Sequence, residues 1–451
     1  MQKLFRFALV ALVISVSPAR SETLTSALIS AYQHSGLLEQ NRALLRAADE
    51  DVAQAYAVLR PSLTYFAGID WTNSPPPASD ELTANLGLSA QITIYDGGSG
   101  VLAIEAAKET VLATRAALVS VEQQVLLRAV AAYMNVRREA QFVQLSQNNV
   151  SLIEQELQAA EDRFGVGEFT RTDVSLAEAR LAAARANLAA TEGRFAQARE
   201  EYRAAIGHYP GELDAPPSLP QTAETQSQAE AIALRSHPDI IQAQHNVTVA
   251  DLNVERTRSG LRPQVSASSS IVATDSGNSS VNLGIDVGGV IYQGGQLRSL
   301  ERQAAARRDA SRAGLLMTSR AVAQNVGNAW SSMIVSGVAI DATDRQIRAA
   351  RVAFNSIREE ASLGARTTLD VLDAEQNFLD AQANRVSAGV DQQIAAYSLL
   401  AAMGHLTVRH LGLGITTYDP ADYYDAVSAA PLRFESEQGA RLDSLLEAIG
   451  R

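Results

Sequence analysis

The sequence predicts an α+β membrane protein: β-strands of bilayer length continued by very long α-helices, in a chain built on an internal two-fold repeat. Three observations predict it. The N-terminus carries an export signal, four segments alternate apolar and polar residues with a period of two, and blocks of sequence recur at a spacing of 197 residues.

At the N-terminus, Lys3 and Arg6 precede an apolar run from Phe7 to Val16, and the small residues Ala19 and Ser21 stand at −3 and −1 of a cleavage site. That is the layout of a secretory signal, residues 1–21. The run falls short of the ~20 apolar residues needed for a spanning helix, and no later stretch is apolar enough to supply one. The net charge of −12 and the lack of a basic stripe exclude a nucleic-acid partner. The chain has no cysteine, so disulfides, thiolate metal sites, cysteine nucleophiles and a lipidated N-terminal cysteine are excluded. Apolar residues make up 46% but aromatics only 5%. Such an alanine-rich mixture suits closely packed long helices better than a bulky globular core.

The repeat maps Tyr95-Asp96-Gly97-Gly98 onto Tyr292-Gln293-Gly294-Gly295, Tyr133 onto Trp330, Gly167 onto Gly364, Asp173 onto Asp370 and Gly207 onto Gly404. A constant spacing held over more than a hundred residues marks duplication. A first repeat, 22–207, and a second, 229–404, are joined by a linker at 208–228, and a tail at 405–451 has no counterpart. The tail reads as an appended equatorial layer or a partly disordered segment. Each repeat opens with a helix, 24–58 or 229–259, closed by an X-Pro pair that a helix cannot cross. A hairpin follows, 61–95 or 263–292. Leu63, Tyr65, Ala67, Ile69 and Trp71 share one face of its first strand; Leu82, Ala84, Leu86, Leu88, Ala90, Ile92 and Ile94 share one face of the next, as do Val281, Leu283, Ile285 and Val287 in the second repeat. After each Gly-Gly pair comes a helix, about 99–163 or 296–361, on the order of 100 Å long. Narrow 3–4 spaced seams such as Ile340, Ile347 and Phe354 mark these helices as coiled-coil partners.

Strands of about 9–11 residues that alternate apolar-out and polar-in are the mark of a membrane barrel. Four strands cannot close one, and open edges are not tolerated in hydrocarbon. Several protomers must therefore share a barrel, with the helices hanging from it as a second tube. The competing reading is a periplasmic coiled-coil adaptor or adhesin-like structural protein, which has no use for four bilayer-length strands.

Taken together, VIYQGG (290–295), LGARTTLDVLDAEQ (363–376), the two proline-ended helices and the duplication resemble the TolC-type outer membrane efflux proteins over essentially all of 22–410. That resemblance implies a homotrimer: a twelve-stranded barrel in the outer-membrane lipid and a helical tunnel through the periplasm, closed at its inner tip. It implies a passive exit duct for drugs or for type I protein secretion, with no catalytic chemistry and no cofactor. It also implies two partners, a periplasmic adaptor and an inner-membrane RND or ABC transporter.

The candidate site lies in the doubled segment at 166–185 and 363–382. Thr170-Arg171-Thr172-Asp173 and Thr367-Thr368-Leu369-Asp370 both have the form of a capping box, which accounts for Asp173 and Asp370 as helix starters. Asp373, where the first copy has Leu176, is not needed for capping and repels Asp370 on the same face. By resemblance, Asp370 and Asp373 match positions whose side chains ring the pore at the tip, giving two acidic rings in a trimer. Asp173 and Arg366 match positions that hold the tip shut through polar links between neighbouring helix pairs. The family tyrosine expected near them is replaced here by Ala361, so closure is expected to rest on fewer bonds. The six scattered histidines form no metal-site spacing, and the Gly-Gly turns lack the GK[ST] ending of a phosphate loop.

Overall fold

The computed structural model describes residues 21–72 and 81–428, with positions 441 and 444 beyond them. The export signal up to residue 20, the turn at 73–80 and the far part of the tail lie outside the described residues. In chain order the elements are α1 (Leu24–His34), α2 (Gly36–Ala57), β1 (Ser62–Thr72), β2 (Glu81–Tyr95), α3 (Ser99–Gly165), α4 (Arg171–Ile206), α5 (Gln226–Ser236), α6 (Pro238–Ser259), β3 (Gln264–Thr274), β4 (Ser279–Gly288), α7 (Gln296–Ser362), α8 (Thr368–Ala402) and α9 (Pro420–Val427). The duplication is visible in the backbone. α3 and α7 each have 67 residues. The left-handed glycines Gly97, Gly98, Gly167 and Gly207 recur as Gly294, Gly295, Gly364 and Gly404, each at the repeat spacing.

Two expectations are adjusted. The opening helix of each repeat is two helices, not one. Ser35 starts α2 by accepting the Leu38 N–H at 3.3 Å. In the second repeat His237, extended at φ −65° and ψ 128°, precedes Pro238 and cannot stay helical. The last strand ends at Gly288 rather than 292. Its partner β3 begins at Gln264, just after Pro263, so nothing beyond Gly288 finds a ladder partner.

The four strands form one antiparallel sheet in the order β1-β2-β3-β4. The register aligns the alternation across all of them: Tyr65 lies opposite Leu88, Leu88 opposite Ile271, and Ile271 opposite Val281. One face is therefore apolar and exposed, with Leu63, Tyr65, Ile69, Leu283 and Ile285 each more than 70% accessible. The other face carries Ser, Thr, Asn and Gln; on it Asp70 accepts from Asn85 Nδ2 at 3.0 Å and Asp286 lies near Ser268 Oγ at 3.4 Å. No lysine or arginine occurs in the four strands. Gly87 is required where it stands, because a Cβ there would lie 2.7 Å from the Ile271 carbonyl oxygen and strike the Phe66 ring.

Each strand pair hands over to a helix at its Gly-Gly turn. In the first repeat the Asp96 carboxylate accepts the backbone N–H groups of Gly98 (2.9 Å) and Gly100 (2.5 Å), filling orphan donors at the start of α3. Below the sheet, α3 pairs with α4 and α7 with α8 as two long antiparallel hairpins, with α2 and α6 lying against α3 and α6 also against α7.

The thickest core sits about midway along α3. There Leu126, Ala129, Val130 and Tyr133 meet Leu24, Leu28, Tyr202, Ile206, Leu400 and Leu406. Tyr133, fully buried, donates its hydroxyl to the carbonyl oxygens of Glu22 (2.9 Å) and Asp214 (2.8 Å), tying the N-terminus and the linker to the long helix. The described start of the tail enters this core through Leu406, Val408 and Leu413, and the Val408 N–H donates to Glu122 on α3 at 2.7 Å.

Tyr133→Phe should remove the hydroxyl shared by two carbonyl groups that each keep one other donor, the Asp214 N–H on Glu22 O and Arg137 Nη1 on Asp214 O, at a cost of about 1 kcal/mol. Thermal unfolding followed by circular dichroism should show a lowered midpoint. A midpoint matching wild type would mean that water or a neighbouring group replaces the hydroxyl.

Candidate functional site

Both hairpins reverse at the end farthest from the sheet, and they do so alike. α3 ends with Gly167 at φ 82° and α7 with Gly364 at φ 79°, in the left-handed region that relieves the last carbonyl groups of a helix. The Gly167 N–H donates to Phe164 O at 3.0 Å and the Gly364 N–H to Ala361 O at 3.1 Å.

The next helix is then started by a reciprocal cap. Thr170 donates its N–H (2.9 Å) and hydroxyl (2.7 Å) to one Asp173 oxygen, and the Asp173 N–H returns to the Thr170 hydroxyl at 3.4 Å. Thr367 and Asp370 repeat the pattern at 3.0, 2.8 and 3.2 Å. Hydrogen bonds from Thr170 hold the Asp173 carboxyl below its ordinary range. Those from Thr367, with a smaller pull from Arg366, do the same for Asp370. Both aspartates are thus ionised helix starters, as the spacing of the capping box implied.

Asp373 is not part of a cap. It is exposed, and it accepts from Arg180 Nη2 of α4 at 2.7 Å, a link between the two hairpins. The additional charge in the second copy therefore has a partner on the first. Arg366 reaches back within its own hairpin to Glu360 at 2.8 Å. Asp173 and Arg366 are not joined within one protomer; Asp173 is occupied by its cap. Between the two tips lies a cleft of about 180 Å³ lined by Glu156, Arg163, Phe169, Arg358, Ala361 and Arg366. The position at which the resemblance leads one to expect a tyrosine thus borders open space.

One residue at the tip escaped the sequence reading. Glu375 is 4% exposed, and neither carboxylate oxygen has a hydrogen-bond partner. It lies on the face of α8 that presents Val371 and Phe378, where Phe354 and Phe378 stack at 6.1 Å. Glu156 of α3, Arg180 of α4 and Arg358 of α7 are the charges that act on it. A signal was there to be read: Val371, Glu375 and Phe378 keep the 3–4 spacing of an apolar seam, so Glu375 stands where a core residue belongs.

Among the described residues no cluster of histidine and carboxylate side chains is arranged to hold a metal ion, and no helix is long and apolar enough to cross a membrane. A paired-hairpin tip hung from a sheet with a lipid-suited face is the arrangement of a duct. The sequence model of the outer membrane efflux protein family matches residues 28–208 and 231–405. The chain belongs to that family. It is 34% identical over 423 residues to the outer membrane efflux protein BepC of Brucella suis biovar 1, covering 92% of each chain. It is 24% identical over 379 residues to the outer membrane protein TolC of Vibrio cholerae, covering 80% of this chain and 86% of that one. The MtrE outer membrane channel of Neisseria gonorrhoeae, solved in its open state, shares the fold with a TM-score of 0.73 over 85% of this chain and 89% of that one, at 21% identity. The efflux protein is thus an outer-membrane protein whose long helices extend into the periplasm.

Thr367→Ala should remove the cap that starts α8 and cost about 1 kcal/mol locally. Hydrogen exchange over residues 368–374 should speed up while the middle of α3 stays protected. Unchanged exchange there would show that the cap does not set the local stability.

Proposed function

We propose that the efflux protein is the exit duct of a tripartite export system, giving passive passage to drugs or secreted proteins. Three copies close one twelve-stranded barrel, and their hairpins continue it as a helical tunnel that docks a periplasmic adaptor and an inner-membrane RND or ABC transporter. The observation that carries this reading is the pair of free sheet edges, β1 and β4, on a sheet with one lipid-suited face. Only neighbouring strands from other copies satisfy those edges in hydrocarbon. Family membership supports the same reading, as does the exposed apolar surface of α7 (Met317, Val335, Val338 and Val352), which has no cover within one protomer. A soluble adaptor or stalk would have no use for the lipid-suited face.

In the trimer, Asp370 and Asp373 form acidic rings at the tip, and Asp173 and Arg366 contribute to holding the tips of adjacent hairpins together. Two negative rings favour cations and bind multivalent ones. Asp373 already faces Arg180, so Asp370 carries the larger share of the field.

The double variant Asp370→Asn, Asp373→Asn should lose cation preference and blockade by multivalent cations in planar bilayers, with Asp370→Asn alone giving most of the effect. Selectivity and blockade equal to wild type would remove these residues from the pore. Arg366→Ser should release Glu360 and raise the conductance of the resting channel about two-fold or more, the scale of one exposed ion pair. Resting conductance at the wild-type level would count against its part in closure.

A further inference from the structure

We infer that Glu375 is a proton-operated latch between the two hairpins: neutral, it lets α8 pack against α3 and α4; ionised, it drives the hairpins apart at the tip. This rests on the reading above that tip separation opens the duct, and it assigns the separation to a residue outside the acidic rings.

The argument begins with connectivity. Two ion pairs cross between the hairpins near Glu375. Arg180 of α4 holds Asp373 of α8 at 2.7 Å, and Arg358 of α7 holds Glu156 of α3 at 3.4 Å. Every helix of the two hairpins supplies one member. With Glu375 neutral, two guanidinium groups match two carboxylates. With Glu375 ionised, a third carboxylate joins the cluster, nearly out of contact with water and without a hydrogen bond to either oxygen. A buried charge in that state is strongly unfavourable. To gain a partner inside the packed tip, Glu375 must take Arg358 from Glu156 or compete with Asp373 for Arg180. The first exchange breaks a link between the hairpins, and the second leaves one guanidinium facing two carboxylates. Ionisation therefore costs the packed interface either a cross-hairpin pair or an uncompensated negative charge, which parting of the hairpins relieves by letting in water.

Proton affinity follows from the same surroundings. Burial pushes the Glu375 carboxyl up from 4.5 to about 7; Glu156 adds to the rise, and Arg358 and Arg180 oppose it. When the hairpins part, the group meets water and returns to the ordinary glutamate range. The packed tip thus holds a proton that the parted tip releases, so closure is strongest at low pH. It weakens as the pH rises from the ordinary range through about 7. Allowing for screening by solvent, the ratio of parted to packed tips should rise about ten-fold per protomer between about pH 5 and about pH 8.

The absence of native cysteine makes a direct test clean. Spin labels placed through Glu161→Cys on α3 and Ser362→Cys on α7, both exposed at the tip, report the gap between hairpins in the full-length protein. Pulsed magnetic-resonance distances should show a parted population that grows with pH in wild type and stays small at every pH in Glu375→Gln. Conductance in planar bilayers should follow the same pattern. A gap that ignores pH in wild type, or that widens equally in Glu375→Gln, overturns the latch. If conductance still responds to Asp370→Asn, Asp373→Asn while the labels do not move, the latch fails and the channel reading stands. If the labels part in wild type alone while conductance ignores pH, the latch stands and the tip is not the gate.

Discussion

A sheet of four strands cannot end in hydrocarbon, and that constraint organises the rest of the molecule. β1 and β4 each leave a row of backbone donors and acceptors unpaired, while their apolar faces stand exposed. Lipid offers no hydrogen bonds, so the edges must be met by other strands. Once copies are joined at the sheet, the helices below it are brought side by side as well. The exposed apolar side chains of α7 then become an interface waiting for a neighbour rather than a defect of folding.

The two halves share a backbone plan but differ in what covers them. α3 carries a long series of buried residues, from Gly100 to Ala160, because it runs between its own hairpin partner and α1, α2, α6 and α8. α7 has the same length yet buries only Val322, Val326, Ser336 and Phe354 within the protomer. The two rods are equal in length, but their side chains suit α3 to a covered, central position and leave α7 largely uncovered within the protomer. The pair Leu176 and Asp373 belongs to the same divergence. At matching positions, one copy holds an apolar residue and the other a carboxylate aimed at Arg180 of its sister hairpin.

Much of this could be read from sequence because periodicity records local geometry. Alternation placed the strands and their faces, glycine pairs placed the strand-to-helix turns, and the threonine–aspartate spacing placed the caps of α4 and α8 within a residue. The break before Pro238 was legible in principle, since a proline forces its predecessor out of the helix, and the one at Ser35 is a capping serine followed by glycine, but a strong helical pattern on both sides masked both. Two features lay beyond local pattern. Tyr133 is held by carbonyl groups of Glu22 and Asp214, distant in sequence on both sides. Glu375 sits among charged neighbours in DVLDAEQNFLD, where a glutamate reads as part of a wet face; its burial exists only because a second hairpin covers it. Packing between hairpins is a property of the folded object, and only the seam phase of Val371 and Phe378 hinted at it.

The distribution of interactions along the helices differs between the middle of the molecule and its tip, in the way the proposed opening at the tip requires. Midway along α3 the contacts are extensive and apolar, and the tail adds Leu406, Val408 and Leu413 to them. Burial of this kind changes little with pH or with salt. Toward the tip the apolar clusters shrink to small groups, Ile153 with Leu181 and Ala184, and Phe354 with Val371 and Ala374. Their place is taken by cross-hairpin ion pairs around one carboxyl group that lacks a partner. Charges exchange partners at small separations, and their balance shifts when one proton is lost. The waist therefore fixes the hairpins in place, and the far end is left with the interactions most easily rearranged. Cohesion at the tip depends more on charge balance than on apolar area, which fits the proposal that parting of the hairpins begins there.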